Sequence, residues 1–330
     1  MCKDSNRQRL SNNWCRRDIG EQSSMVTISH STPAIERLLD PAEEFTTIAS
    51  GFRFVEGPVW NSADRSLQFN DIQNDARWRW TEADAAVLTA KPNRIGNGMT
   101  LARDGSLLVC EHVTSSVVRE LRDGHRELVA FHFEGTYLNS PNDVVERSDG
   151  TVYFSDPDYG RWDHVVGVHR RLELGFQGVF MVPPGGGETR LVVARDEFDQ
   201  PNGLCFSPDE SVLYIDDLHG VRAFDVAPDG GLSPGRPFHA GMGDTDIPGR
   251  GNPDGMRCDE FGNIWCTARG GIWVLAPSGD LLGIIETDET SANLTWGGDD
   301  GRTLFICMST TVRTLRTRVG AAPLTIRSGE

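Results

Sequence analysis

Lysine is almost missing from this chain: Lys3 and Lys91 are the only two in 330 residues. Schiff-base chemistry, which needs a desolvated amine, therefore has next to nothing to work with. Paired cysteines are missing as well. The seven present (Cys2, Cys15, Cys110, Cys205, Cys258, Cys266, Cys307) are odd in number and contain no C-x-x-C spacing. Five of them lie inside apolar runs, where a free thiol acts as a small core filler in a reducing compartment, so a cytoplasmic location is expected. No apolar run approaches the roughly 18 residues that span a bilayer, which argues against a membrane segment. Residues 1–24 are polar throughout and lack the apolar centre of a secretory signal.

Positive charge is also scarce. The formal net charge is -16, the wrong sign for a nucleic-acid partner, whose phosphates call for clustered Lys and Arg. No H-E-x-x-H occurs and the eight histidines are scattered, so a His-based zinc site has no support. Gly231 to Gly235 matches G-x-S-x-G, but it lies in a Gly/Pro turn with no helix after it, and the nucleophile elbow needs that helix. No Pro- or Ser-rich run or charge block divides the chain into domains.

What the chain does have is a repeat. The stretch QPNGLCFSPDESVLYIDD from Gln200 is two short apolar runs around a polar turn, the pattern of an antiparallel hairpin. Five further stretches share its shape, starting at Glu56, Asn97, Asn142, Asp254 and Asn293. With Asn202 they are separated by 41, 45, 60, 52 and 39 residues. A repeat of roughly 45 residues made of strands and turns predicts an all-β fold, a six-bladed β-propeller with one four-stranded sheet per repeat. Residues 34–330 are expected to form that single domain, with 1–33 a disordered extension and Met25 an alternative start. A propeller has to close its ring to hide its edge strands, and Glu44 to Ser50 is the segment expected to complete the last blade.

The first strand of each blade lines the central channel, so Glu56, Asn97, Asn142, Asn202, Asp254 and Asn293 are expected as a ring at its mouth. Every member is a carboxylate or an amide. Asn and Asp also cap strand starts through local backbone bonds, but six independent caps would more often include Ser, Thr or Gly. Two carboxylates and up to four amides are oxygen donors suited to a hard divalent cation such as Ca²⁺ or Mg²⁺, and unlike a Cys/His zinc set. A cation there favours hydrolysis of an ester-like bond. The segments after each second strand overhang the same mouth, and the longest, Asp156 to Gln177, is the natural lid. His112, His219 and Arg269 are rim candidates for substrate contact. Asp156 and Tyr159 are expected to anchor the long loop.

These residues resemble a family, the gluconolactonase or SMP-30/regucalcin-like six-bladed propellers. The resemblance covers the chain from about Ile48 to Leu315. It rests on FVEGPVW (54–60), SPNDVV (140–145), YFSDPDYG (153–160), PNGLCFSPDESVLY (201–214), NPDGMRCDEFGNIW (252–265) and ANLTWGGDDGRTLFI (292–306). It implies one divalent metal at the top of the channel, Ca²⁺ foremost with Mg²⁺, Mn²⁺ or Zn²⁺ as alternatives. The ligands implied are Glu56, Asn202 and Asp254, with Asn142 on metal or substrate and Asn97 on substrate. Asp254 is implied as the general base, or as the nucleophile in the phosphotriesterase branch. The activity implied is opening of a small lactone, an aldonolactone such as gluconolactone. A phosphotriesterase or esterase of the same fold and a non-catalytic metal-binding scaffold are the alternatives. Cys110-Glu111-His112 matches the family, but Val113-Thr114-Ser115 replaces the small basic stretch that often follows in its bacterial members. Oligomeric state is not legible.

Overall fold

The computed structural model describes residues 23–162, 166–244 and 246–322. Among the described residues six antiparallel blade sheets, four of four strands and two of five, follow one another along the chain. Blade 1 is Val55–Asn61, Ser66–Asp71, Ala76–Thr81 and Ala85–Ala90. In all six blades the first strand is innermost, and the inner strands of successive blades touch in order, with Ser291–Gly297 of blade 6 returning to Val55–Asn61 of blade 1. This is the six-bladed propeller expected from the repeat.

Closure is also as expected. Glu44–Ser50 pairs antiparallel with Thr311–Arg316, the third strand of blade 6, in the register Thr311 with Ser50 and Thr314 with Thr46. One blade thus joins the first and last parts of the propeller. This type of closure covers an edge that would otherwise be free to pair with another chain.

Each blade packs both faces on its neighbours, so its central strands are buried on both sides and read as continuous apolar runs. Leu107–Glu111, Gly178–Val182 and Gly271–Leu275 are buried at every position, whereas the outermost strand Ala85–Ala90 is mostly exposed. Six apolar clusters fill the six interfaces between blades. Cys110, Cys205, Cys258, Cys266 and Cys307 are free and buried among them, the filler role expected of them; Cys2 and Cys15 lie outside the described residues.

The hairpin turns explain part of the acidic charge. In blades 2 to 6 a turn aspartate (Asp104, Asp149, Asp209, Asp259, Asp300) accepts the backbone N–H two residues further on. Such Asx turns mimic a backbone turn and hold the hairpin.

The domain boundary expected near Ala34 needs correction. Ser23–Met25 pairs with Glu44–Ser50, and Ile28–Ser29 pairs with Leu281–Glu286, adding a fifth strand to blades 6 and 5. Val26 and Ile35 are buried against Trp265, Leu294 and Leu304. The folded part therefore starts at or before Ser23. The physical reason is that a blade's outer edge offers unpaired N–H and C=O groups, and even a short polar strand can pair with them. Residues 1–22 of the expected extension lie outside the described residues.

Candidate metal centre

The six first strands bring their ring residues to one mouth of the channel by two backbone devices. In blades 3, 4 and 5 the N–H of the ring residue bonds the carbonyl of the neighbouring second strand: Asn142 to Ser155 at 2.9 Å, Asn202 to Asp216 at 3.1 Å and Asp254 to Thr267 at 3.0 Å. In blades 1, 2 and 6 the ladder shifts register at the ring, between Glu56 and Val59, Gly96 and Met99, and Ser291 and Asn293. Bulges of this kind re-aim a side chain at the end of a ladder.

Close approach between blades sets the diameter. A Cβ on Gly98 would stand 2.4 Å from the Asn142 carbonyl oxygen, and one on Gly203 would stand 2.0 Å from that of Asp254. Only glycine leaves room there for the next blade's ring residue. The Gly98 N–H uses that room to bond Asn142 O at 2.8 Å.

Aspartates at the ends of second strands hold the starts of the first strands, a role that single-residue reading missed. Asp71 accepts from the N–H groups of Arg53 and Phe54 at 3.2 Å each. Asp156 accepts from Asn139 and Ser140 at 2.8 Å each, and Asp216 from Gly203 at 3.0 Å. The recurring acidic residue after each second apolar run was the available signal, but which strand it faces depends on the ladder. Asp156 is fully buried in this clip. Removal from water pushes its carboxyl up to about 7, against the lowering effect of the two N–H donors.

The side chains of the ring form one electrostatic unit. Glu56 Oε2 accepts from the Gly57 N–H at 2.6 Å and from Asn293 Nδ2 at 3.0 Å. Asp254 is hydrogen bonded to Asn202 and feels the charges of Glu56, Asp216 and Asp143. Removal from water, followed by these negative neighbours, raises the Asp254 carboxyl well above the carboxylate range. Glu56 is pushed up to about 7, first by burial and then by Asp143. The nearest basic side chain at this depth, Arg257, is 3.7 Å from Asp143 Oδ2. The ring therefore carries more negative potential than it has counter-charge for.

His112 is drawn into the ring's surroundings. It is fully buried, with Nδ1 2.6 Å from Val166 O and Nε2 3.2 Å from Asn97 Nδ2. The carbonyl can only accept, so Nδ1 carries the proton and Nε2 accepts from the Asn97 amide. That orients Asn97, and its Oδ1 is left buried without a partner, as is the Oδ1 of Asn202. Burial pushes His112 down to about 4, keeping it neutral. The other two rim candidates stand apart. His219 lies in solvent 3.7 Å from Asp199, and Arg269 donates Nε to Ile247 O at 2.7 Å. Neither makes a hydrogen bond or ion pair with the ring.

The residues fit a hard cation. Two orphaned amide oxygens and two carboxyls lacking counter-charge are what an oxygen-coordinated ion satisfies. Among the described residues no group of three or more His, Cys, Asp or Glu is arranged to hold a metal, as expected when half the donors are amides. From the described part of the long loop, Val166 and Gly167 meet Gln73 and Asp75 of blade 1 across a cavity of about 250 Å³.

A six-bladed propeller with an all-oxygen donor ring at one channel mouth is the class that this fold and site define. Within it, the chain belongs to the SMP-30/gluconolactonase/LRE-like family, whose sequence profile matches residues 54–310. A gluconolactonase of Zymomonas mobilis is 30% identical over 319 residues, covering 90% of this chain and 87% of that protein. The solved structure of a gluconolactonase from Xanthomonas campestris is 30% identical with a TM-score of 0.79, covering 89% of this chain and 95% of that one. A calcium-binding protein, regucalcin, from Agrobacterium tumefaciens is 16% identical with a TM-score of 0.65, covering 82% and 94%, and speaks for the fold alone.

Proposed function

We infer that this chain is a metal-dependent lactonase that opens a small sugar lactone. The observation that carries the inference is the ring itself, with Asn97 and Asn202 presenting unpartnered buried oxygens beside two carboxyls held above their usual range. The relatives named gluconolactonase, at 30% identity over most of the chain, support the same reading. Glu56, Asn142, Asn202 and Asp254 would hold the cation, with Ca²⁺ the first choice and Mg²⁺, Mn²⁺ or Zn²⁺ as alternatives. A bound divalent cation supplies Lewis-acid polarisation of a carbonyl and lowers the pKa of water.

We assign the proton transfer to Asp254. In this reading a bound cation would favour the charged form of that carboxyl, which would take the proton from the attacking water and return it to the ring oxygen that leaves as the lactone opens, so water and lactone become one hydroxy acid. Asn202 fixes that carboxylate by its hydrogen bond. Asn97, held by neutral His112 and with its Oδ1 unpartnered among the described residues, is assigned to the substrate. The five buried free thiols suit a reducing compartment, and we place the protein in the cytoplasm on that basis.

The test is hydrolysis of a lactone panel by protein treated with chelator and then supplied with each cation in turn. Activity lost with the metal and regained with it is the expected outcome. Full activity in the chelated protein would overturn the reading.

A further inference from the structure

The long loop over blade 3 holds a feature that the ring chemistry does not use. The described residues of its two arms line an open pocket of about 310 Å³, formed by Asp158, Arg161, Trp162, Arg170, Arg171 and their neighbours His169 and Leu172. Among the described residues, three arginines and one aspartate line it, in a chain whose net charge is -16. That aspartate is engaged elsewhere, since Asp158 Oδ1 accepts from Gln200 Nε2 at 2.7 Å.

The arginines are short of counter-charge. Among the described residues Arg161, Arg170 and Arg171 form no ion pair, whereas Arg147 and Arg195 on either side of them in the chain do. Arg161 is buried. Its Nη2 donates to Leu138 O at 2.5 Å, and among the described residues its Nε has no partner. Asp156 and Glu173 are close enough to act on it, but Asp156 already accepts two backbone N–H groups and Glu173 is exposed. Burial, and then Arg170, push the Arg161 guanidinium down to about 10. A buried cation left this way is costly until an anion or a hydrogen-bonded partner reaches it.

The cavity adjoins the ring at two points. Gln200, which holds Asp158, lies two residues before Asn202. Arg170 Nη2 donates to His112 O at 3.0 Å and to Ser115 Oγ at 2.7 Å, and His112 in turn meets Asn97. Tyr159 packs edge-on against Trp162 at 5.3 Å, and Asp254 is among the charges that act on its phenol. A substrate with its carbonyl at the ring can therefore extend toward the arginines.

We propose that this cavity binds an anionic group, a phosphate monoester or a carboxylate, carried by the lactone at the end away from its carbonyl. The proposal rests on the lactonase reading and narrows its substrate class to acidic lactones. Guanidinium groups suit it, because they meet phosphate and carboxylate oxygens with two parallel N–H bonds.

The experiment compares three lactones of one ring size, neutral, phosphorylated and carboxylated, with metal-loaded wild type, Arg171→Gln and Arg171→Lys. One acidic lactone should exceed the neutral one in kcat/KM by about tenfold or more, chiefly through KM, as befits a charge-assisted contact. The preferred anion identifies the group. Arg171→Gln should raise KM for that lactone and leave the neutral one unchanged, with Arg171→Lys recovering part of the loss. Equal kcat/KM for all three, or equal slowing of all three by Arg171→Gln, would overturn the proposal. Should no lactone be turned over, the lactonase reading fails by itself. Calorimetric titration of inorganic sulfate then decides: heat seen with wild type and lost in Arg171→Gln keeps the anion site, and no difference between them removes it.

Discussion

Asp254 and Asn202 share a hydrogen bond and stand side by side in the ring, yet they are open to separation because one carries a charge and the other does not. Asp254→Asn keeps an oxygen donor and removes the base. At saturating metal its rate should fall by about 10²- to 10⁴-fold, the usual contribution of a general base, while metal affinity is only partly lost. Asn202→Asp adds negative charge, should bind metal as well or better, and leaves the base in place. Metal titration followed by rate measurement checks both; near-full activity in Asp254→Asn would reduce it to a ligand. His112 makes a different prediction. Because its pKa is pushed down to about 4 from an unfolded value of roughly 6.5, the unfolded chain binds more protons between those values. The stability from neutral His112 is thus complete above about 6.5 and is lost as pH falls toward 4. His112→Gln has no proton to take up, so its denaturation midpoint should decline less between pH 7 and pH 4 than that of the wild type. Parallel profiles would contradict the neutral, buried assignment.

At the level of elements, the blades position the ring through strand starts, and changes there should act on stability and site together. Gly203→Ala places a methyl 2.0 Å from the Asp254 carbonyl oxygen and 2.9 Å from Asp216 Oδ2, so blades 4 and 5 have to part. We expect a loss of several kcal/mol, in the range of severe overpacking, with metal affinity falling in step. Calorimetry and metal titration of the one variant test that link. The added strands at the start of the chain predict a separate effect. A chain beginning at Ala34 loses Ser23–Met25, Ile28–Ser29 and the buried Val26. Burial of one such side chain contributes about 1.5–3 kcal/mol, so the Tm should drop by several degrees, measured against the full-length protein. Sequence reading missed these strands for a plain reason. Three residues, Ser-Ser-Met, carry no alternation to detect, and their pairing depends wholly on an edge that another part of the chain supplies. The hairpins themselves were legible because each carries two apolar runs and its own turn, so the information is local. The clip aspartates fall between: their recurrence was visible, but their direction needed the ladder.

For the whole molecule, the six-fold repeat determines far more than any single motif, since it turns six scattered residues into one ring around an axis. That is why the ring could be read from spacing alone while the rim could not: His219 and Arg269 lie in loops of unequal length, whose paths no repeat constrains. The architecture also has a thermodynamic consequence. The proposed ligands come from blades 1, 3, 4 and 5, so a cation bound to them ties together parts of the chain separated by up to about 200 residues, from Glu56 to Asp254. A ligand that binds only the folded state stabilises it by about 2.7 kcal/mol at one hundred times its Kd. Adding Ca²⁺ or another effective cation to the chelated protein should therefore raise the Tm by several degrees. Glu56→Gln and Asp254→Asn should shrink that rise in proportion to the affinity each loses. A scaffold whose ring served only to cap strand starts would show the same Tm with and without metal, and its two carboxylate variants would gain stability instead, because each removes a buried charge from a cluster that repels it.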